Sequence, residues 1–336
     1  MPRLLVVSLN YRTPDMTLRS VRAALEALDG LDAELVIVDN DSGDGSFETL
    51  KTQTAMWNDP RVRVIQSGHN GGFGAGNNVG VRAGLMDGSK PDYVYILNSD
   101  AFPAKDAIRR LMDHLEATPK AGFAGSYIHG EEGDPHVTAF RFPSLWSELE
   151  GAARFGPISR ALRKHIVPMG IPETTQRVDW LAGASLMMRQ DVLDRIGLFD
   201  ETFFLYFEET DLCRRAYLAG FETHYVRDSH VAHIGSVSTG MKTWDRIPGF
   251  WLDSRWHYFT KNHGRAYAVA ATLLHVTGGA LWRIRRVVQG KPKADPAQFL
   301  RDLLFHDLRV LFRPLPGKRR AVPSRPTRTA VEIRAE

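Results

Sequence analysis

The chain has 336 residues, 43% of them hydrophobic and 24% charged, so it can bury a full core and does not have the composition of a disordered protein. Its single cysteine, Cys213, excludes an internal disulfide framework and a cysteine-rich zinc cluster, and fits a reducing compartment. The formal net charge of +4 is spread unevenly, with much of the Arg and Lys after residue 280, and no nucleic-acid partner is expected.

Met1-Pro-Arg leads straight into the first apolar run, so no secretory signal is expected. The runs Leu4 to Leu9, Leu35 to Val38, Val62 to Ile65 and Tyr93 to Leu97 are short, and the segments between them are each long enough for one helix. That alternation predicts a parallel, doubly wound α/β sheet. Thr17 to Leu28 places Leu18, Val21, Leu25 and Leu28 on one helical stripe that stops at Asp29-Gly30.

Polar groups follow three of these runs: Asn10, then Asp39-Asn40-Asp41-Ser42, then Asn98-Ser99-Asp100. In a parallel sheet the three ends share the carboxyl edge, where open α/β sheets bind ligands. Asp100 also reads as the N-cap of a helix predicted near Pro103 to Glu116, and Asp39 as an Asx-turn. Their convergence favours a site. The glycine-rich stretch His69 to Gly80 follows the third run instead of the first, which argues against a dinucleotide fold. It predicts close approach of backbone to a ligand, with Asn77 and Asn78 opening a helix; a flexible loop is the alternative.

Phe123 to Ile128 is a candidate fifth strand, and Gly130 to about Arg177 reads as a surface excursion or lid with a basic cluster at Arg154 to Lys164. A patterned block at Trp180 to Met188, a helix at Gln190 to Ile196 and an aromatic strand at Phe203 to Phe207 follow. A helix from about Glu208 to Ala219 and a strand from Phe221 to Val226, ending at Asp228, complete the patterned region.

Glu208, Glu209 and Asp211 suit a helix start, and Asp211 can pair with Arg215 one turn on. The apolar residues before Glu208 and Glu209 would raise a carboxyl pKa, the setting of a general base. His230 and His233 point to opposite faces if they lie on a strand, so at most one belongs to a site. Residues 266 to 282 are nearly free of charge and flanked by Lys261, Arg265, Arg283, Arg285 and Arg286. They predict an interfacial helix with basic flanks, with an ordinary buried helix as the alternative. Gly317 to Glu336 reads as a basic disordered tail.

Seven of these stretches, in order, resemble the family 2 glycosyltransferases and within them the bacterial rhamnosyltransferase-like group. They are Val6 to Tyr11, Val36 to Ser42, Asn70 to Asn78, Leu97 to Asp100, Asp179 to Ala184, Phe204 to Arg214 and His233 to Ser236. The resemblance implies a GT-A fold, an α/β domain with a mostly parallel central sheet covered by helices on both faces. It divides the chain into a nucleotide-sugar half (1–130), an acceptor-binding and catalytic half (131–260), C-terminal helices (261–312) and the tail (313–336).

Asn10, Tyr11, Asp39, Asn40, Asn70, Gly72, Phe73, Asn77, Asn98 and Asp100 would then bind the nucleotide-sugar, with Asp39 on the base. Asp100 and His233 would hold Mg²⁺ or Mn²⁺, and Trp180, Gly183 and Ala184 would shape the sugar and acceptor pocket. Glu209 falls at the family's catalytic base, with Glu208 and Asp211 beside it.

Two residues depart from the family pattern: Asn98 stands where the metal motif has its first Asp, and Glu209 where the base is Asp. Leu252-Asp-Ser-Arg-Trp256 lacks the Gln of the processive synthases' motif, which implies addition of one sugar. The implied activity is inverting transfer of one sugar, L-rhamnose from dTDP-rhamnose being the example, to a lipid-linked or surface-polysaccharide acceptor at the cytoplasmic membrane face. The alternative is a non-catalytic nucleotide-sugar-binding or scaffold protein of the same fold.

Overall fold

A computed structural model describes residues 1–235, 244–293 and 295–313; Ser236 and the predicted tail lie outside the described residues. The first half alternates as expected: β1 (Arg3–Asn10), α1 (Pro14–Ala27), β2 (Asp32–Asp39), α2 (Ser46–Ala55), β3 (Val62–Gln66), α3 (Phe73–Ala83) and β4 (Tyr93–Asn98). Next come β5 (Ala101–Pro103), α4 (Ala107–Ala117), β6 (Ala121–His129), β7 (Ala139–Phe140), α5 (Leu145–Ala153) and α6 (Gly156–Ala161). The second half contributes β8 (Gln176–Val178), β9 (Trp180–Leu181), β10 (Ser185–Arg189), α7 (Gln190–Ile196), α8 (Glu208–Leu218) and β11 (Glu222–His233). Three helices follow: α9 (Gly249–His263), α10 (Arg265–Val288) and α11 (Phe299–Val310).

The central sheet runs β3-β2-β1-β4-β10-β6-β11-β5, with β8 on the free side of β11. β1 to β4 are mutually parallel, and the register sets Asn10 opposite Asp39 and Leu9 opposite Asn98. The chain winds from β1 outward to β3 and then returns to β4 on the other side of β1. The crevice beyond the ends of β1 and β4 is therefore the switch point where such sheets bind ligands. Alternate residues of each strand enter two cores: Leu4, Val6, Tyr95 and Leu97 lie in one, and Leu5, Val7, Val38 and Ile96 in the other.

Four local expectations change. Asp100 does not cap a helix, because β5 intervenes and pairs with β11 before α4 starts beyond Asp106. Trp180 to Met188 is two strands in different sheets, β9 pairing β7 while β10 inserts antiparallel between β4 and β6, so the sheet is mixed. Phe203 to Phe207 is not a strand: Tyr206 and Phe207 both have φ of 70°, which an extended chain cannot contain. The last strand runs on past Asp228 to His233, through irregularities in its pairing with β6.

The predicted excursion carries β7, α5, α6 and β8, and α5 is the platform for the C-terminal helices. Gly278 of α10 lies so close to α5 that a Cβ there would meet the Leu149 carbonyl oxygen at 2.7 Å, and one on Gly279 would meet Leu300 of α11 at 2.7 Å. Arg255 of α9, 1% exposed, ties these helices together through Glu148 (2.7 Å), Asp307 (3.2 Å) and Thr272 (3.1 Å). Among the described residues no helix is long and apolar enough to cross a membrane.

Candidate active site

Three connected groups of residues meet at the switch point. In the first, the Asn10 amide donates to Asp39 Oδ1 at 2.8 Å and the Ser42 hydroxyl to the same oxygen at 2.6 Å, while the Ser42 backbone N–H donates to Oδ2 at 3.1 Å. Asn10 and Asp39 are fully buried, so this carboxylate is held rigidly at the sheet edge. The Asn40 amide donates to Asn70 Oδ1 at 3.0 Å and to the Gly72 carbonyl at 3.3 Å, and Asn40 Oδ1 is buried without a partner.

Gly72 then starts α3 with φ of 89°, and a Cβ there would fall 1.8 Å from the Phe204 carbonyl oxygen, which accepts the Phe73 backbone N–H at 3.0 Å. Only glycine lets these two loops touch. Asn77 turns back on its own helix, donating to the Phe73 carbonyl at 3.0 Å, and half-buried Tyr11 lies beneath the Arg12 guanidinium.

The second group lies just past β4. His233 Nε2 is 3.0 Å from Asp100 Oδ1 and 3.4 Å from the Asn98 amide nitrogen, and Asn98 Oδ1 is buried without a partner. The pairing of β11 with β5 brings His233 here across 133 residues, while His230 packs instead against Tyr127, with ring centroids 5.2 Å apart. The sequence did not mark His136, whose ring lies 6.4 Å from that of His233; a lone histidine between Pro135 and Val137 carries no spacing signal. Among the described residues no three His, Cys, Asp or Glu side chains form a ready cation cage.

The third group holds the carboxylates. The Gly183 backbone N–H donates to Glu209 Oε1 at 3.2 Å, and a Cβ on Gly183 would meet that oxygen at 2.6 Å and the Phe73 ring at 3.1 Å. Ala184 next door accepts the Asn98 backbone N–H at 3.1 Å, which joins this group to the second. Burial pushes the Glu209 carboxyl up to about 6. Glu208 is 1% exposed with neither oxygen partnered, and burial and then the charge of Glu209 push its carboxyl well above the usual range.

Asp211, fully buried, is held by Arg215 at 2.9 Å, Lys261 at 2.7 Å and the Asn262 amide at 3.2 Å. Trp180 stacks on Phe140 at 4.2 Å and donates its indole N–H to the Arg141 carbonyl at 2.9 Å, on the side of the excursion.

The carboxylate and histidine past the fourth strand are thus linked, through Asn98, Ala184 and Gly183, to a buried carboxyl at the start of α8. The chain belongs to glycosyl transferase family 2, whose family model matches residues 4–175. It is 31% identical over 252 residues to N-acetylglucosaminyl-diphospho-decaprenol L-rhamnosyltransferase of Mycobacterium tuberculosis, covering 70% of this chain and 77% of that protein. It is 30% identical over 166 residues to rhamnosyltransferase WbbL of Escherichia coli K12, covering 48% of this chain and 60% of that protein. The solved mannosyltransferase PcManGT of Pyrobaculum calidifontis, in complex with GDP-Man and Mn²⁺, shares the fold with a TM-score of 0.54 at 14% identity, covering 94% of this chain and 82% of that one.

Proposed function

We propose that the chain transfers one sugar, L-rhamnose from dTDP-rhamnose, to a lipid-linked acceptor, inverting the anomeric carbon, at the cytoplasmic face of a membrane. The observation that carries this reading is Glu209: a carboxyl raised to about 6 and braced by the Gly183 amide, joined through Ala184 to the Asp100 and His233 pair. The two rhamnosyltransferase relatives support the donor sugar, and the decaprenol-linked substrate named for the mycobacterial one supports the class of acceptor.

The residues past β4 fit a divalent cation. Asp100 would supply a carboxylate oxygen, His233 an imidazole nitrogen and Asn98 an amide oxygen with no other partner, donors of the kind a divalent cation accepts. When bound, the ion would neutralise charge on the departing diphosphate.

The protein groups do the rest. Asn40 and Asn70, bonded to each other and to the Gly72 backbone, hold the turn at the start of α3 against which the donor would lie. Glu209, ionised above its pKa, takes the proton from the acceptor hydroxyl. The oxygen then forms its bond to the anomeric carbon from the face opposite the nucleoside diphosphate, whose bond to that carbon breaks. Burial and the charge of Glu209 raise the Glu208 carboxyl beside it, which disfavours a second negative charge there.

The test is to offer the purified chain a panel of nucleotide-sugars with Mg²⁺ or Mn²⁺ and a lipid-diphosphate sugar acceptor, and to measure released nucleoside diphosphate. Turnover with dTDP-rhamnose that is lost in Glu209→Gln supports the reading. Donor binding without turnover by the wild-type chain would leave a non-catalytic binding protein.

A further inference from the structure

The C-terminal helices turn an unusual face to solvent. One side of α10 is fixed to the body by Gly278 against α5 and Gly279 against α11. The opposite side carries Leu273 (56% exposed), Ile284 (65%), Val287 (72%) and Val288 (81%), with Ala266, Thr277 and Ala280 exposed between them and no charged residue among them. At helical spacing these positions form one stripe along all 24 residues. α11 lies antiparallel beside it, Thr272 meeting Asp307 and the Arg265 guanidinium meeting the Arg313 carbonyl. It exposes Phe305 (61%), Leu308 (51%) and, just past its end, Phe312 (85%). Soluble helices normally bury such residues.

The charge around this face is predominantly positive, with exposed Asp253 of α9 paired to His306 of α11. Residues 265 to 313 contain nine Lys and Arg against three Asp. Each Asp is already neutralised by the protein itself: Asp295 by Arg154 at 2.8 Å, Asp302 by Arg246 at 2.5 Å and Asp307 by Arg255 at 3.2 Å. Lys291, Lys293, Arg301, Arg309 and Arg313 are exposed.

We propose that the outer face of α10 and α11 docks on an anionic lipid surface, its apolar stripe entering the headgroup boundary and its basic rim meeting lipid phosphates. This deepens the reading of a lipid-linked acceptor and rests on it. Two other occupants fit the charge poorly. Residues 314 to 336 carry six Lys and Arg against two Glu, so they repel the rim, and a second copy would set its own rim against this one. An anionic bilayer complements both stripe and rim. A cavity of about 340 Å³ is lined by Phe204 in the loop leading to Glu208 and Glu209, by Asp253 and His257 of α9 and by Val310 and Arg313 at the end of α11, so the C-terminal helices adjoin that loop.

Flotation of the full chain with vesicles containing about 30 mol% phosphatidylglycerol, and with phosphatidylcholine alone, tests this. The paired changes Ile284→Glu with Val287→Glu, and Phe305→Glu with Leu308→Glu, alter only exposed side chains; Met56→Glu, also exposed, is the control. The wild-type chain and the control float with the anionic vesicles, and each pair binds at least about tenfold more weakly. Donor turnover with a soluble acceptor analogue is unchanged in all four. Flotation of the pairs like the wild type overturns the proposal, and equal flotation on neutral vesicles overturns its anionic part. A dimer on a sizing column that either pair converts to monomer assigns the face to a second copy instead. Absent turnover with normal flotation would remove the enzymatic reading and leave the surface standing.

Discussion

Gly183 and Glu209 touch through one backbone N–H and one carboxylate oxygen 3.2 Å apart, with no room for a methyl group between them. The Gly183 main chain thereby orients the Glu209 carboxylate, the base in the proposed reaction. Gly183→Ala is expected to displace Glu209 and lower kcat with little change in donor KM, measured by initial rates.

Because the Glu209 carboxyl is raised to about 6, a base at this position is protonated below that pH and active above it. The rate of transfer should rise about tenfold per pH unit up to about 6 and then level off. Glu209→Gln should lower kcat by about 10²-fold or more and abolish the rise, read as nucleoside diphosphate release across the pH range.

Asp100→Asn and His233→Gln should each raise the Mn²⁺ concentration needed for half-maximal activity by about 10-fold or more. A thermal shift produced by donor together with Mn²⁺ in the wild type should shrink in both variants, a readout independent of turnover.

Burial and the charge of Glu209 raise the Glu208 carboxyl above its ordinary value of 4.5, so ionising it costs folding stability as pH rises above that value. Glu208→Gln should therefore keep or raise Tm at neutral pH and flatten its fall on the alkaline side. A Tm lowered by several degrees would show that the ionised form is stabilised.

Arg255 joins Glu148 and Asp307 in the interior, and Arg255→Met would strip the guanidinium from both, leaving Glu148 with His275 and Asp307 with His306 and Thr272, at a cost of about 3–5 kcal/mol, measured by denaturant unfolding. Burial pushes the Glu148 carboxyl up, but Arg255 and His275 overcome it and hold the group at about 2, below its ordinary 4.5. With a depressed folded pKa, the stabilisation is complete above about 4.5 and is lost as pH falls towards 2.

The strand ends at Asn10, Asp39 and Asp100 were legible because each closes a short apolar run, and parallel pairing must bring such ends together. The aromatic run at Phe203 to Phe207 misled because apolar content carries no information about a left-handed turn, which the packing of Tyr206 and Phe207 imposes. The antiparallel insertion of β10 between β4 and β6 is a long-range pairing that no local period encodes. The 266–282 segment was read as either interfacial or buried, yet α10 packs small residues inward and turns larger apolar ones outward. The buried alternative holds for the inward face, and the interfacial reading of the outward one is the proposal that flotation tests.

The Phe204 carbonyl oxygen occupies the space a side chain on Gly72 would need, so the loop that begins α3 and the loop that leads into α8 meet main chain to main chain. Neither has a side chain at that contact through which mismatch could be absorbed. The two loops are therefore coupled in length: a longer turn at Gly72 would displace the segment that leads to Glu209 along with it.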